Sequence, residues 1–254
     1  MIIGDPQKYL DSLDEQSRQV IHERVGSIDN ILSPNDTFQF SCKRHGDCCT
    51  NRYSNPILCT PYDAFKLQTH LGVNSGEFKK HFADLVLASD LEFPVMLLSS
   101  PKVKSFSDQC IFLDKNNCTV YEARPLVCRL YPLGRILNND MTSYFFKVNT
   151  ESNCGLGRGQ SYTIDEWIEK TKSRPYLEWS EKFYKLLMKI NLSKYQGIPD
   201  KFKSTLAKLL YDSELEDRIF SGENRDMKLP DQGKNTGPFI NLEAAELFIE
   251  NYLA

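Results

Sequence analysis

The 254 residues carry 31 basic and 34 acidic side chains, a net charge of −3, so no basic surplus recommends nucleic acid as a partner. Hydrophobic residues make up 41% of the chain, with 15 Phe and 12 Tyr to fill a core, yet no apolar run approaches the ~18–20 residues that span a bilayer. The first residues lack the basic and apolar regions of a secretion signal, so the expectation is a cytoplasmic protein away from membranes, where eight cysteines serve metal or redox chemistry more readily than disulfides.

Residues 6–25 read as one amphipathic helix. Asp5 caps it, Pro6 occupies its first turn, Leu10, Leu13, Val20, Ile21 and Val25 share a face, and Gly26 stops it. His22 falls off that stripe and reads as solvated. Residues 27–41 connect to a short extended lead-in, Phe38-Gln39-Phe40. The stretch 42–49, Cys-Lys-Arg-His-Gly-Asp-Cys-Cys, then predicts a tight loop in which Gly46 takes a positive φ.

Thr60-Pro61-Tyr62-Asp63 starts a helix, with Thr60 as cap, and Gly72 ends it after Leu71. Ser75 caps a second helix in which Phe78, Phe82, Leu85 and Val86 fall at helical spacing. His70 and His81 lie in this pair and read as surface or core residues. Residues 92–99 are extended, and Pro94 suggests an edge strand. Cys110 and Cys118 stand on two short segments joined by a turn at Lys115-Asn116-Asn117, the pattern of a small hairpin.

Pro125 and Pro132 bracket one or two helical turns carrying Cys128, and residues 142–148 read as a strand. Cys154-Gly155-Leu156-Gly157-Arg158-Gly159 reads as a glycine turn that lets Cys154 approach a metal. From Tyr162 onward the cysteines stop. Thr163 caps a helix with Trp167 and Ile168 on its apolar side, and residues 175–190, 199–212 and 241–253 are further helices. Gly222, Pro230, Gly233, Gly237 and Pro238 mark 221–238 as a loop or linker. The fold class expected is α+β, predominantly helical. An irregular metal-organised cysteine domain with short strands (34–160) is flanked by an N-terminal helical segment (1–33) and a C-terminal helical extension (161–254).

Three sulfurs and one imidazole lie within the eight residues 42–49. Thiolates prefer zinc or an iron–sulfur cluster. The candidate ligands are Cys42, His45, Cys48, Cys49, Cys110, Cys118, Cys128 and Cys154. They could fill two four-coordinate sites, or one with thiols in reserve. Side chains on adjacent residues often diverge, which makes it attractive for Cys48 and Cys49 to serve different ions. Cys59, directly before a capped helix, reads as packing. Arg124 and Arg129 flank Cys128 and could offset the negative charge of a four-thiolate zinc centre. Arg124 could equally pair with Glu122 or Glu151. The Cys-x-x-x-Cys-x-x-Cys run of radical-SAM enzymes and the dinucleotide fingerprint Gly-x-Gly-x-x-Gly are both absent.

Across residues 38–160 the pattern resembles the YkgJ-type cysteine-cluster family, described as zinc- or iron-chelating. The matches are Cys42, Gly46, Cys48 and Cys49, then Cys110-Ile-Phe-Leu, then Cys118-Thr-Val-Tyr-Glu-Ala-Arg-Pro-Leu-Val-Cys128-Arg-Leu-Tyr-Pro, and finally Cys154-Gly-Leu-Gly-Arg-Gly. Where that family has its second cysteine this chain has His45, which favours zinc or a mixed-ligand cluster there. The cysteine region is more distantly similar to that of flagellin lysine N-methylases, which are associated with an iron–sulfur cluster. The resemblance implies a metal-binding protein with zinc or an iron–sulfur cluster at one or two sites. Two other readings stand beside it. One is an iron–sulfur-dependent enzyme, an oxidoreductase or a lysine-N-methylase-like protein. The other is a metal-stabilised scaffold whose partner or substrate is a protein.

Overall fold

The computed structural model describes residues 1–25, 30–42, 46–49, 57–88, 93–98, 109–148, 155–192, 200–212, 242 and 245–250. His45, Cys154, Gly26 and the linker 221–238 lie outside the described residues.

In chain order the first elements are β1 (Ile2–Ile3), α1 (Pro6–Asp11) and α2 (Glu15–Val25). The single helix expected over 6–25 is broken. Ser12 ends α1 with its hydroxyl on the Tyr9 carbonyl (2.6 Å), and Asp14 restarts the chain by accepting from the Ser17 N–H (2.7 Å). Short polar side chains of this kind compete with the helical backbone for its own hydrogen bonds. At the start of α1, Asp5 accepts from the Gln7 and Lys8 N–H groups, with Pro6 in the first turn as expected.

Next come β2 (Ile31–Leu32), β3 (Thr37–Phe40), β4 (Ile57–Cys59) and α3 (Pro61–Leu71). Thr60 and Asp63 form a reciprocal capping box at the head of α3, and Gly72 closes it at φ +66°. α4 (Ser75–His81) is capped by Asn74 rather than Ser75. The expected continuation of that helix is instead β5 (Ala83–Ala88), paired with β6 (Phe93–Leu98). Leu85 and Val86 satisfy a helical spacing, but strand pairing decides their conformation.

β6 is the middle strand of the order β4-β6-β5, so Pro94 does not mark an edge strand. It is tolerated because β4 pairs only with Met96–Leu98 and stops short of Pro94. β7 (Leu113–Asp114) and β8 (Asn117–Cys118) form the expected hairpin, but only Cys118 lies on its strands; Cys110 precedes β7. Its tight turn is Lys115-Asn116, with φ +45° and +70°, the two positive values that a two-residue hairpin turn requires. α5 (Leu126–Leu130) follows, then β9 (Leu133–Leu137), β10 (Thr142–Lys147), β11 (Gln160–Thr163), α6 (Ile164–Lys170), α7 (Arg174–Leu192) and α8 (Asp200–Tyr211). β9 was not anticipated. Thr163 and Glu166 form the capping box of α6.

The chain is mixed α/β and divides into two compact units. Unit 1 comprises Met1–Thr50, Leu113–Cys118 and Leu126–Glu181. Here β10 pairs with β9 along one edge and, along the other, with β1 in parallel and then β2 in antiparallel fashion. A separate two-stranded ladder joins β3 to β11. Tyr9, Leu10, Val25, Ile31 and Tyr144 form a buried cluster in this unit, with the Tyr9 and Tyr144 rings stacked at 4.2 Å.

Unit 2 comprises Asn51–Phe112, Thr119–Pro125 and Lys182–Ala254. Leu67, Phe78, Met96, Leu206 and Leu210 are fully buried there. Ser75 Oγ donates to Asp212 (2.7 Å), and Tyr211 Oη donates to the Cys59 carbonyl (3.3 Å). Burial pushes the Tyr211 hydroxyl well above its ordinary pKa. Residues 245–250 are helical and tied to α7 by Lys189, which pairs with Glu246 and Glu250. Among the described residues no helix is long and apolar enough to cross a membrane.

Candidate metal centre

The first thiol, Cys42, leaves the end of β3. Gly46 then takes φ +82°, and the Cys49 N–H closes onto the Gly46 carbonyl (2.7 Å), winding Asp47–Cys49 into a short 3-10 turn. A side chain at Gly46 would lie 3.0 Å from Leu113 Cδ1 and 3.5 Å from Asn116 Cα. The turn bearing Cys48 and Cys49 therefore rests on the hairpin that ends in Cys118.

The glycine turn supplies a second tie. Gly155, Gly157 and Gly159 have φ of +98°, +76° and +84°. The Ser41 N–H donates to the Gly155 carbonyl (3.1 Å), and the Gly157 N–H donates to the Gln39 carbonyl (2.8 Å). A Cβ at Gly155 would sit 2.0 Å from the Ser41 carbonyl oxygen. Two backbones approach as only glycine permits. The residue before Cys42 and the residue after Cys154 are thereby held together.

Cys128 rides on α5, which is too short to hold its own shape. It is clamped to α6 from both directions. Arg129 on α5 donates to the carbonyl of Thr171, the residue capping the end of α6 (2.9 Å). Trp167 on α6 donates through Nε1 to the Leu130 carbonyl of α5 (2.9 Å). Arg129 also donates to Tyr176 Oη (2.9 Å) and lies over its ring. Aromatic edges extend the support. The Phe40 ring meets Tyr131 at 6.0 Å and Trp167 at 5.3 Å, both edge-on, so the end of β3 and the end of α5 lean on one aromatic cluster.

Cys42 and Cys48 are exposed, and Cys49, Cys110, Cys118 and Cys128 are half-buried. The Cys48 and Cys49 sulfurs converge to 3.9 Å rather than pointing apart. Among the described residues no three His, Cys, Asp or Glu side chains stand close enough to share an ion. His45 and Cys154 are outside that comparison. By chain segment Cys110 falls in unit 2, and Cys42, Cys48, Cys49, Cys118 and Cys128 fall in unit 1. Cys59 is 0% exposed, as its reading as a packing residue requires. Arg124 covers the ring of Tyr121 and donates to its carbonyl (2.6 Å). His22, His70 and His81 are exposed.

Sequence reasoning singled out the thiols and Arg129 but not the job Arg129 does here, nor Trp167, Phe40 and Ser41 as their supports. The one local signal was the aromatic pair Phe38 and Phe40 leading directly into Cys42. No curated protein and no solved structure matches this chain. Residues 41–154 do match the CxxCxxCC family, described as "Putative zinc- or iron-chelating domain". The span covers the loop, the hairpin, α5 and the last cysteine, and over those residues the chain is similar to that cysteine-cluster family.

Proposed function

We propose that unit 1 binds zinc or an iron–sulfur cluster through its cysteines, and that this is the protein's primary chemistry. The observation that carries the reading is the hydrogen bond from Ser41 N to Gly155 O (3.1 Å), which fastens together two thiol-bearing segments more than a hundred residues apart. The ligands would come from Cys42, Cys48, Cys49, Cys118 and Cys128, with His45 and Cys154 contributing from their positions in the chain. Such a donor set is soft and anionic, which suits zinc and iron–sulfur and rejects hard cations. A bound metal would supply folding free energy and a positive charge to set against the thiolates. The chain's own residues do the rest. Gly46 shapes the loop, the glycine turn closes the distance to Ser41, and the α5–α6 clamp holds Cys128 in place.

Elemental analysis of protein purified without oxygen, with its optical spectrum recorded first, tests this. One or two metal ions or clusters per chain are expected. Zinc protein is colourless because the ion is d¹⁰, whereas an iron–sulfur protein is brown. Cys118→Ser and Cys128→Ser should each lower the metal content. Cys59→Ser should keep it in full while lowering stability by roughly 1–3 kcal/mol, because a hydroxyl replaces a buried thiol. A folded wild-type protein carrying no metal, or a Cys59 variant that alone loses it, would sink the reading.

A further inference from the structure

We infer that Cys48 and Cys49 bind one and the same four-coordinate ion, zinc by class, as a chelate of adjacent residues. The inference rests on the metal-binding reading above and adds the grouping of its ligands. An ion with ~2.3 Å bonds to sulfur in tetrahedral geometry holds two of its sulfurs ~3.8 Å apart. The observed separation is 3.9 Å. Neighbouring side chains in a 3-10 turn ordinarily diverge by about 120° around the axis. Here the turn is wound on Gly46 at φ +82° and closed by the Cys49 N–H on the Gly46 carbonyl, and the sulfurs meet.

A cubane cluster takes one thiolate per iron, so two of its ligands are held apart by an iron–iron edge as well as by their own bonds. The pair is therefore better matched to a single ion than to two corners of a cubane. Binding is a proton exchange: two thiols and a divalent ion give a neutral dithiolate–metal unit and two released protons. Cys48 is exposed and Cys49 half-buried, which leaves the pair open to an incoming ion.

Cobalt(II) is the probe, because its thiolate charge-transfer band counts the sulfurs on each ion. Metal-free protein is titrated as wild type, Cys48→Ser, Cys49→Ser, the double serine variant and Cys49→His. The two single serine variants should weaken the same equivalent of cobalt by at least tenfold, since loss of a supporting group alone costs 10–100-fold. They should lose equal charge-transfer intensity, and the double variant should lose no second equivalent. Cys49→His retains a ligand, so it should keep that equivalent with one sulfur's share of the band missing; this guards against a serine variant that misfolds. If the single variants affect different equivalents, or one of them titrates like wild type, the shared ion is wrong and the metal-binding reading stands. Should wild type take up no cobalt, the shared ion falls, and the metal-binding reading is decided by the elemental analysis of the anaerobically purified protein. X-ray absorption at the zinc edge of the wild-type protein must show at least two sulfurs per ion, and fewer would also refute the pair.

Discussion

Arg129→Met should destabilise the protein by about 3–5 kcal/mol, through the loss of two buried hydrogen bonds from a charged donor. The residue is 4% exposed. Its guanidinium donates to the Thr171 carbonyl and to Tyr176 Oη, both at 2.9 Å, and lies 4.2 Å from the Tyr176 ring centre. Each hydrogen bond from a charged donor contributes about 1.5–3 kcal/mol, and the ring contact adds about 0.5–2 kcal/mol. Methionine fills similar space but leaves the carbonyl at the end of α6 without this donor. Arg129→Lys should recover part of the loss, because a single ammonium cannot reproduce the planar fork. Urea unfolding of metal-loaded and metal-free protein measures the effect. A Met variant within about 1 kcal/mol of wild type would mean that the clamp between α5 and α6 is not a main support of the Cys128 segment.

Gly155→Ala should be at least as damaging, and Gly157→Ala its control. Both glycines sit at positive φ, +98° and +76°, where alanine costs about 1–2 kcal/mol. They differ in space. A Cβ at Gly157 meets nothing within 4 Å, whereas at Gly155 it lands 2.0 Å from the Ser41 carbonyl oxygen and 2.9 Å from its carbon. Those are backbone atoms and cannot swing aside, so the two strands of chain must part. Gly155→Ala should cost more than about 3 kcal/mol, adding a clash to the strain. It should also lower metal affinity by separating the chain beside Cys42 from the chain beside Cys154. Thermal unfolding and metal titration of the two variants side by side provide the comparison. Equal effects would show that backbone strain, rather than the close approach to Ser41, is what the turn needs.

Features set by a few neighbouring residues were legible in the sequence. Asp5 with Pro6, Thr60 with Asp63, and Thr163 act within one turn, and each caps a helix where one was expected to start, although the helix begun by Asp5 ends at Asp11. Gly46 takes the positive φ that its place in the loop demanded. Features set by a distant partner were not. Leu85 and Val86 carry a helical spacing, yet pair with Met96 and Val95 in a sheet. Pro94 was misread because an edge is a property of the neighbouring strand's length, and β4 ends too early to meet it. The site divides in the same way. Residue type alone marked the thiols, because few side chains bind soft metals. Which of them approach one another depends on the closeness of Ser41 to Gly155 and of Gly46 to Leu113, contacts that no window of sequence contains.

The pairing of β3 with β11 bears on how the chain is made. Thr37–Phe40 has Gln160–Thr163 as its partner, beyond the last residue of the matched span 41–154. On the ribosome, at 5–20 residues per second, Cys42, Cys48 and Cys49 are out on the order of ten seconds before that partner exists. Throughout that interval the nascent thiols have neither their strand nor the glycine turn to arrange them, and any metal they capture is held by a different set of donors. A fragment cut at residue 154 is frozen in that unfinished state, with Phe38 and Phe40 on an open strand edge that invites association with other chains. The supports of the cysteine segments run on past that span, through β11 and α6 and on to Tyr176, the partner of Arg129.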